Sequence, residues 1–558
     1  MKKITALLLL FFACNALFAQ VEEQKGLEAI TIESIKGQLG FLASDWTEGR
    51  AVGTKGAYMA ADYIAAMFQT YGVKPFGDQV YSRPTRAELM AGIRPTASKS
   101  YFQSFSLIEY EPGDEQQLSV ISGKPGSESS IEFNFKTDFY VNTGSVGQSG
   151  KAGLVFVGYG FQDEEKGYDD LKKVDLKGKI AVVLSGFPGH RDSASVAYKK
   201  FVPMDRYAVS RVRGSRYGNL EKAGAIAIIR VRLDIDPTLT WASNQIYPVK
   251  GNYYEADQAL NNYYSTRMMM PGKEVGVNLP VFSITQRVAN AIIAGTNVDF
   301  EKFEEEAAAN PVPKSVELSG KSIAFKTTVK SKIVKARNVV GFIEGEKKDE
   351  FIVVGGHYDH LGKHDGWIWN GADDNASGTV GVMTLAKAFM ATGKKPERSV
   401  IFAAWTAEER GLYGSKYFVE KAKENAMNVV LNLNYDMISR DTESDSAKNK
   451  AGMSYTKANH RIEETTKQFI EKYNLNLDVS YRASDRPRGG SDHAPFAAEN
   501  IPVFYFMAAM HPDYHQPSDE LNNINWEKML NIIKIGFLNT WQFANSDDWM
   551  KTDAEAEK

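Results

Sequence analysis

Cysteine is almost absent: Cys14 is the single one in 558 residues. No intrachain disulfide can form, and cysteine-rich zinc modules and a cysteine nucleophile are excluded unless Cys14 itself serves. A charge imbalance is missing too. With 66 basic and 69 acidic residues the formal net charge is -3, so no global field exists to gather nucleic acid or an anionic membrane surface. Past the leader there is no uninterrupted run of about 18 apolar residues, which excludes a polytopic membrane protein. Internal repeats and long low-complexity tracts are lacking as well. What is present, 43% hydrophobic and 24% charged residues, is an ordinary globular composition. The length suffices for roughly three or four cores of about 150 residues each.

Residues 1–19, MKKITALLLLFFACNALFA, have two lysines, a short apolar run and then small residues, the layout of a secretory signal peptide, with the mature chain beginning near Gln20. The alternative is a degenerate lipoprotein site at FFAC, with Cys14 acylated. Either reading predicts export to the periplasm or the exterior, or a lipid-anchored outer-membrane protein. Helical patterning follows at 28–46 and 55–72, where Met59, Tyr63, Met67 and Tyr71 recur at i+4 and are read as a core-facing stripe. From Asp78 to Gly150 the chain is richer in Gly, Pro and Ser, with strand-like pieces such as Ile131–Phe135. Short apolar runs bounded by turns then occur at 153–160, 178–186, 223–231 and 279–285 and read as the strands of one compact domain. A second α/β texture runs from about Ala336 to Ala544, with strands at Phe351–Val354, Val400–Ala404, Val429–Leu433 and Val503–Phe506. Helical patterns lie between them, such as Val382, Leu385, Ala386 and Phe389. The expected fold is α/β, a mixed, largely parallel sheet flanked by helices, with an inserted, smaller, β-rich α/β domain. The expected boundaries are 20–145 for an N-terminal segment packing on the main domain, 146–310 for the insert, 311–548 for the main domain and 549–558 for a tail.

Seven of the eight histidines, His357, His360, His364, His460, His493, His511 and His515, fall in the last domain. His357 and Asp359 follow the first of its strands, Glu408 and Glu409 the second, Asp436 ends the third, and His515 lies in the loop after the fourth. In open α/β sheets ligands bind beyond the carboxyl ends of the strands, so these four loops converge on one crevice. A fifth acid comes from GADDNASG (371–378), at the start of a helix. Two His and three acids match what two zinc ions about 3.5–4 Å apart require: terminal ligands on each and one shared carboxylate. Adjacent acids such as Glu408 and Glu409 point differently, so one can bind metal while the other serves as a base.

GGHYDHLG (355–362), NGADDNASG (370–378), TAEERGLYGS (406–415), LNYDMIS (433–439), GGSDHAPF (489–496) and YHQPSDE (514–520) resemble the successive motifs of the co-catalytic zinc exopeptidases of the bacterial leucyl aminopeptidase and glutamate carboxypeptidase type. FLASDWTEGRAVGTKGAYMAADYIAAMFQTYGVKPFGD (41–78) resembles the leading segment of bacterial members, and DLKGKIAVVLSG (175–186) with NLEKAGAIAII (219–229) is similar to the protease-associated domain often inserted in them. The resemblance implies two Zn2+ per chain, one held by His357 and Asp436 and the other by Glu409 and His515. Asp374 would bridge them, with Asp373 as the alternative. It also implies that Glu408 is the general base, that Asp359 orients the His357 imidazole, and that Tyr514 presents a phenol to the developing oxyanion. His493 is read as shaping the site. His360, His364 and His511 are read as plain loop residues, and Arg482, Arg486 and Arg488 as a solvated loop that could otherwise contact a substrate carboxylate.

The resulting expectation is an exported di-zinc aminopeptidase acting on peptides, with no nucleic-acid partner and no transmembrane segment. Three other readings stand beside it: a carboxypeptidase or dipeptidase on the same scaffold, a single-zinc glutaminyl cyclase, and a non-catalytic receptor-like binding protein.

Overall fold

A computed structural model describes residues 21–124, 126–172, 174–201, 215–233, 254–273, 278–459, 461–487 and 489–547. The leader with Cys14, His460, Arg488 and the tail lie outside the described residues. The chain forms two compact units, one made by residues up to Ser106 together with those from Lys335 onward, the other lying between Leu107 and Val334.

The main run of the sheet that carries the first unit is β1 (Val329–Ile343, in the first unit from Lys335), β2 (Lys347–His357), β3 (Arg398–Trp405), β4 (Asn428–Tyr435), β5 (Lys450–Thr456), β6 (Asp478–Ser484) and β7 (Val503–Met507). They lie in the order β1-β3-β2-β4-β7-β5-β6. The four central strands, β3-β2-β4-β7, are parallel; β1 on β3 and β5 on β7 are antiparallel. The four parallel strands coincide with the four apolar runs expected, and the reason is burial on both faces. Along β2, Ile352 and Val354 enter one hydrophobic cluster and Val353 the other. Along β3, Val400, Phe402 and Ala404 face the first cluster while Ile401, Ala403 and Trp405 face the second. That period of two leaves no polar face to interrupt the run.

Helices close both faces. On the first lie α1 (Ile32–Leu42), α2 (Lys55–Tyr71), α3 (Gly378–Ala391) and α7 (Trp526–Asn545); on the second lie α4 (Tyr413–Glu424) and α6 (His493–Ala498). α5 (Arg461–Lys472) joins the first layer through Ile462 and Phe469. The starts are written locally: the Thr31, Thr54 and Asn525 side chains accept from the Ser34, Ala57 and Lys528 amides. α2 ends on Gly72 at φ 82, a left-handed position that glycine takes without steric cost. Its core face is Ala57, Ala60, Ala61, Ile64 and Phe68; Met59, Tyr63, Met67 and Tyr71 lie only half-buried along its margin. The apolar stripe is therefore rotated by one position from the expected one, because the small alanines allow the closest approach.

β3 lies on one side of β2 and β4 on the other. The chain thus reverses its direction of building at β2, the kind of point beyond whose strand ends open α/β sheets bind ligands.

The second unit has its own sheet, whose central strands Ser149–Phe156, Ile180–Leu184, Ala227–Val231 and Val281–Ile284 are parallel. These are the four runs expected for the insert. Its limits are wider than the expected 146–310. Strands Gln117–Ser122, Ser129–Phe133 and Phe139–Asn142, assigned from sequence to the N-terminal segment, and Val316–Lys326, assigned to the main domain, complete this sheet by antiparallel pairing.

Candidate active site

Most of the candidate residues sit just beyond a parallel strand, while Asp374 lies in the loop that opens α3. β2 ends on His357, with Asp359 and His360 following; β3 ends at Trp405, three residues before Glu408; β4 ends at Tyr435, next to Asp436; His515 comes from the long loop after β7. The chain leaves these strands through left-handed backbone at Ala407 (φ 58), Met437 (φ 57) and His515 (φ 57). Non-glycine residues in that region are costly and cluster where surrounding contacts over-determine them. The peptide Asp374–Asn375 is cis. Gly378, which starts α3, admits no side chain: a Cβ would lie 2.3 Å from Asn375 Oδ1 and 2.6 Å from the Tyr435 carbonyl.

The side chains form two groups joined by one carboxylate. His357 Nε2 is 3.5 Å from Asp374 Oδ1, 3.6 Å from Asp436 Oδ1 and 3.9 Å from Glu408 Oε2. His515 Nε2 is 3.2 Å from Asp374 Oδ2 and 3.2 Å from Glu409 Oε2. The two oxygens of Asp374 therefore face different groups. Asp373 turns away; its Oδ1 accepts from the Ser439 amide at 2.8 Å and its Oδ2 is 3.2 Å from His511 Nε2. Tyr514 stacks on His515 with ring centroids 3.8 Å apart.

Asp359 contributes differently from expectation. His357 Nδ1 lies 3.1 Å from the Asp359 main-chain oxygen but 3.9 Å from its carboxylate. The carboxylate instead accepts from the Glu408 amide at 3.1 Å and so anchors the acid pair. His360 is no plain loop residue: it is fully buried, with Nδ1 2.7 Å from Glu409 Oε1. His511 is buried against Asp373. His364, expected in a loop, ends the short strand Gly362–His364 paired with Trp367–Trp369, its Nε2 2.8 Å from the Leu361 carbonyl. Arg482 is exposed on the edge strand β6, and Arg486 donates to Asn500 at 2.7 Å.

Three further residues complete the site. Arg50, fully buried, donates to the carbonyls of Tyr358 (2.7 Å), Asn370 (2.6 Å), Gly371 (3.0 Å) and Leu42. Asp519 accepts from the amides of Asp373 (3.1 Å) and Asp374 (3.0 Å), fixing the loop that carries Asp374. Asp492 accepts from the Ser415 hydroxyl. Asp519 and Asp492 lie inside the motifs YHQPSDE and GGSDHAPF, and Arg50 inside the leading segment 41–78, so their sequence neighbourhoods marked them, but no role was read for any of the three.

The electrostatics are those of buried acids in excess. Burial, reinforced by Glu409, Asp492 and Asp436 against His357, pushes Glu408 well above the usual carboxylate range. Burial likewise raises Asp359 and Asp492 to about 7. Burial would raise Glu409 too, but His515 and His360 overcome it and hold Glu409 well below that range. Asp436 Oδ1 is buried and accepts no hydrogen bond. Carboxylates are buried at such density only when cations compensate them. The donors of His357, Asp374 and Glu409, and those of His357, Glu408 and Asp436, lie within 4.8 Å of one another. Imidazole nitrogen with carboxylate oxygen is a donor set that suits zinc.

His493 is a packing residue: fully buried and stacked on Tyr505 with centroids 4.4 Å apart, it is pushed by burial down to about 4. The unfolded chain binds a proton at this imidazole below about pH 6.5, whereas the folded chain does so only near pH 4. Stability therefore falls across that window on acidification, by up to roughly 3 kcal/mol. His493→Phe should flatten the dependence, and urea midpoints at pH 7.0 and 5.0 for both chains would check it. An equal loss in both would refute the assignment.

These donors form a candidate metal site at the strand ends of a mixed α/β sheet. Residues 338–537, which carry the site, match the model of Peptidase family M28. A glutamate carboxypeptidase 2 homolog of Caenorhabditis elegans is 26% identical over 360 residues, 59% of this chain and 40% of the relative. A leucine aminopeptidase 2 of Arthroderma otae is 30% identical over 231 residues, 38% of this chain and 45% of the relative. The chain thus matches less than half the length of these curated relatives. Among solved structures, an aminopeptidase from Aneurinibacillus sp. strain AM-1 is similar in fold with a TM-score of 0.57 at 19% identity, covering 94% of this chain and 97% of that one. A peptidase M28 precursor from Shewanella amazonensis gives 0.53 at 18% identity, covering 95% and 98%. The mixed α/β fold and the zinc exopeptidase resemblance read from the motifs are both borne out. Among the described residues no helix is long and apolar enough to cross a membrane.

Proposed function

We propose that the protein is an exported di-zinc aminopeptidase that removes the first residue from peptides. The observation carrying this reading is the Asp374 carboxylate, whose oxygens address His357 on one side and His515 on the other at 3.5 and 3.2 Å. His357 and Asp436 would hold one zinc, Glu409 and His515 the other, and Asp374 both. When bound, the pair of zinc ions supplies Lewis acidity that makes a water nucleophilic near neutral pH and polarises the scissile carbonyl. Glu408 takes the proton of that water and returns it to the leaving amine, a task for which its raised proton affinity suits it. Tyr514, adjacent to His515, donates to the developing oxyanion. Export is supported by the leader-like segment 1–19. The unit between Leu107 and Val334 is read as the protease-associated insert.

The test is a peptide pool in which every member has a free and an acetylated N-terminus, incubated with and without a strong chelator and read by mass spectrometry. Loss of the first residue from free N-termini alone, abolished by chelation, is the expected result and reads out the side-chain preference directly. Trimming of C-termini in both forms would replace this reading with a carboxypeptidase.

A further inference from the structure

We propose that His360 is a positioning residue for Glu409, its Nδ1–H holding one carboxylate oxygen so that only the other is offered to the metal it shares with His515. The proposal rests on the ligand assignment made under the proposed function. An ionised carboxylate can only accept, so at 2.7 Å the His360 Nδ1 must be the donor to Oε1. The second oxygen, Oε2, faces His515 Nε2 at 3.2 Å. The two oxygens of Glu409 thus have separate duties, whereas a carboxylate free at both could swing or bind a cation through both. Pinning one oxygen fixes the direction of the other, as outer hydrogen bonds do for metal ligands generally.

The imidazole is held on two sides and its backbone on a third. Its edge-to-face partner is His515, with centroids 5.7 Å apart. Behind it lies Gly371, at φ 52, where a Cβ would come within 2.5 Å of His360 Cδ2 and 2.6 Å of Cγ. Its own main-chain amide donates to the Arg50 carbonyl at 3.3 Å. The far nitrogen, Nε2, is buried and makes no hydrogen bond, and the nearest oxygen of Asp374 is 3.9 Å from Nδ1. Glu409 is therefore the one hydrogen-bonded partner of the ring, which is what a dedicated orienting group requires.

The experiment measures zinc affinity of the full chain by competition with a chromophoric chelator, together with the visible spectrum after cobalt(II) substitution. Wild type is compared with His360→Phe, which keeps the ring volume but cannot donate, and with His360→Gln, whose amide N–H can. Wild type should bind two ions. In His360→Phe one of the two affinities should drop by roughly 10- to 100-fold, with a changed cobalt spectrum, while the other site stays unchanged; His360→Gln should recover most of the loss. Should His360→Phe fail to fold, His360→Ala takes its place with the same expectation. Two tight sites and an unaltered cobalt spectrum in the variant would overturn the positioning role alone. Fewer than two sites in wild type would overturn the ligand assignment and this proposal with it.

Discussion

Replacing Glu408 with glutamine should lower kcat by roughly two to four orders of magnitude while leaving the metal content and the thermal midpoint unchanged. Glutamine has the same shape and keeps the Glu408 amide bonded to Asp359, but it cannot take up a proton. The carboxylate lies beside one ligand group, 3.9 Å from His357 Nε2, without being the nearest acid to that nitrogen. Removing its charge should therefore abolish turnover without emptying the site, and KM should move much less than kcat, because the group acts on the proton and not on binding. Steady-state kinetics on a preferred peptide with metal analysis of the same preparation would check this. A variant within tenfold of wild type would sink the role of general base, and one that had lost its metal would turn Glu408 into a ligand.

The second large effect concerns stability. Arg50→Met should destabilise the first unit by at least about 3 kcal/mol, because four buried carbonyls lose their donor at once and each buried unsatisfied acceptor costs about 1–3 kcal/mol. Burial lowers the guanidinium to about 10, with Asp519, Asp359, Asp374 and Glu409 opposing, so it stays charged at neutral pH and offsets part of their negative charge. Lysine should not rescue, since one ammonium cannot span carbonyls from Leu42, Tyr358, Asn370 and Gly371 as a planar five-donor fork does. Urea titration followed by tryptophan fluorescence suits the question, because all six tryptophans among the described residues, Trp46, Trp367, Trp369, Trp405, Trp526 and Trp541, belong to the first unit. An unshifted transition would show that water replaces the lost donors.

Legibility in the sequence followed burial. The four parallel strands of the first unit were readable because both faces are covered, so every position is apolar. β6, reading DVSYRAS, has no fully buried residue and leaves no such trace, and the segment 482–490 that overlaps its end looked like a loop. The limits of the second unit were misplaced for the same reason: the strands it gains at Ser129–Phe133 and Val316–Lys326 are edge or bulged strands with mixed polarity. At the site, residues just past strand ends were legible, since position relative to a strand is a sequence property. The part played by His360 was not, because whether a loop histidine turns outward or back onto Glu409 depends on the backbone at Gly371 and on His515, remote in the chain. The role of Arg50 was illegible on the same ground: 308 positions separate it from Tyr358, whose carbonyl it holds.

That separation bears on the order in which the molecule can assemble. Joining α1 and α2 to the loops of β2 closes a chain loop of 308 residues, whose entropy in a flexible chain is on the order of 5 kcal/mol. The chain leaves the first unit at Ser106 and returns at Lys335, and these two are side by side, the Lys335 ammonium 2.9 Å from the Ser106 hydroxyl. A second unit that folds early brings those two points together and collapses most of the loop before the first unit begins to close. In synthesis the same geometry imposes a wait: Arg50 emerges long before the carbonyls it binds, so the amino-terminal helices stay without their partners until the loops of β2 and α3 have been made.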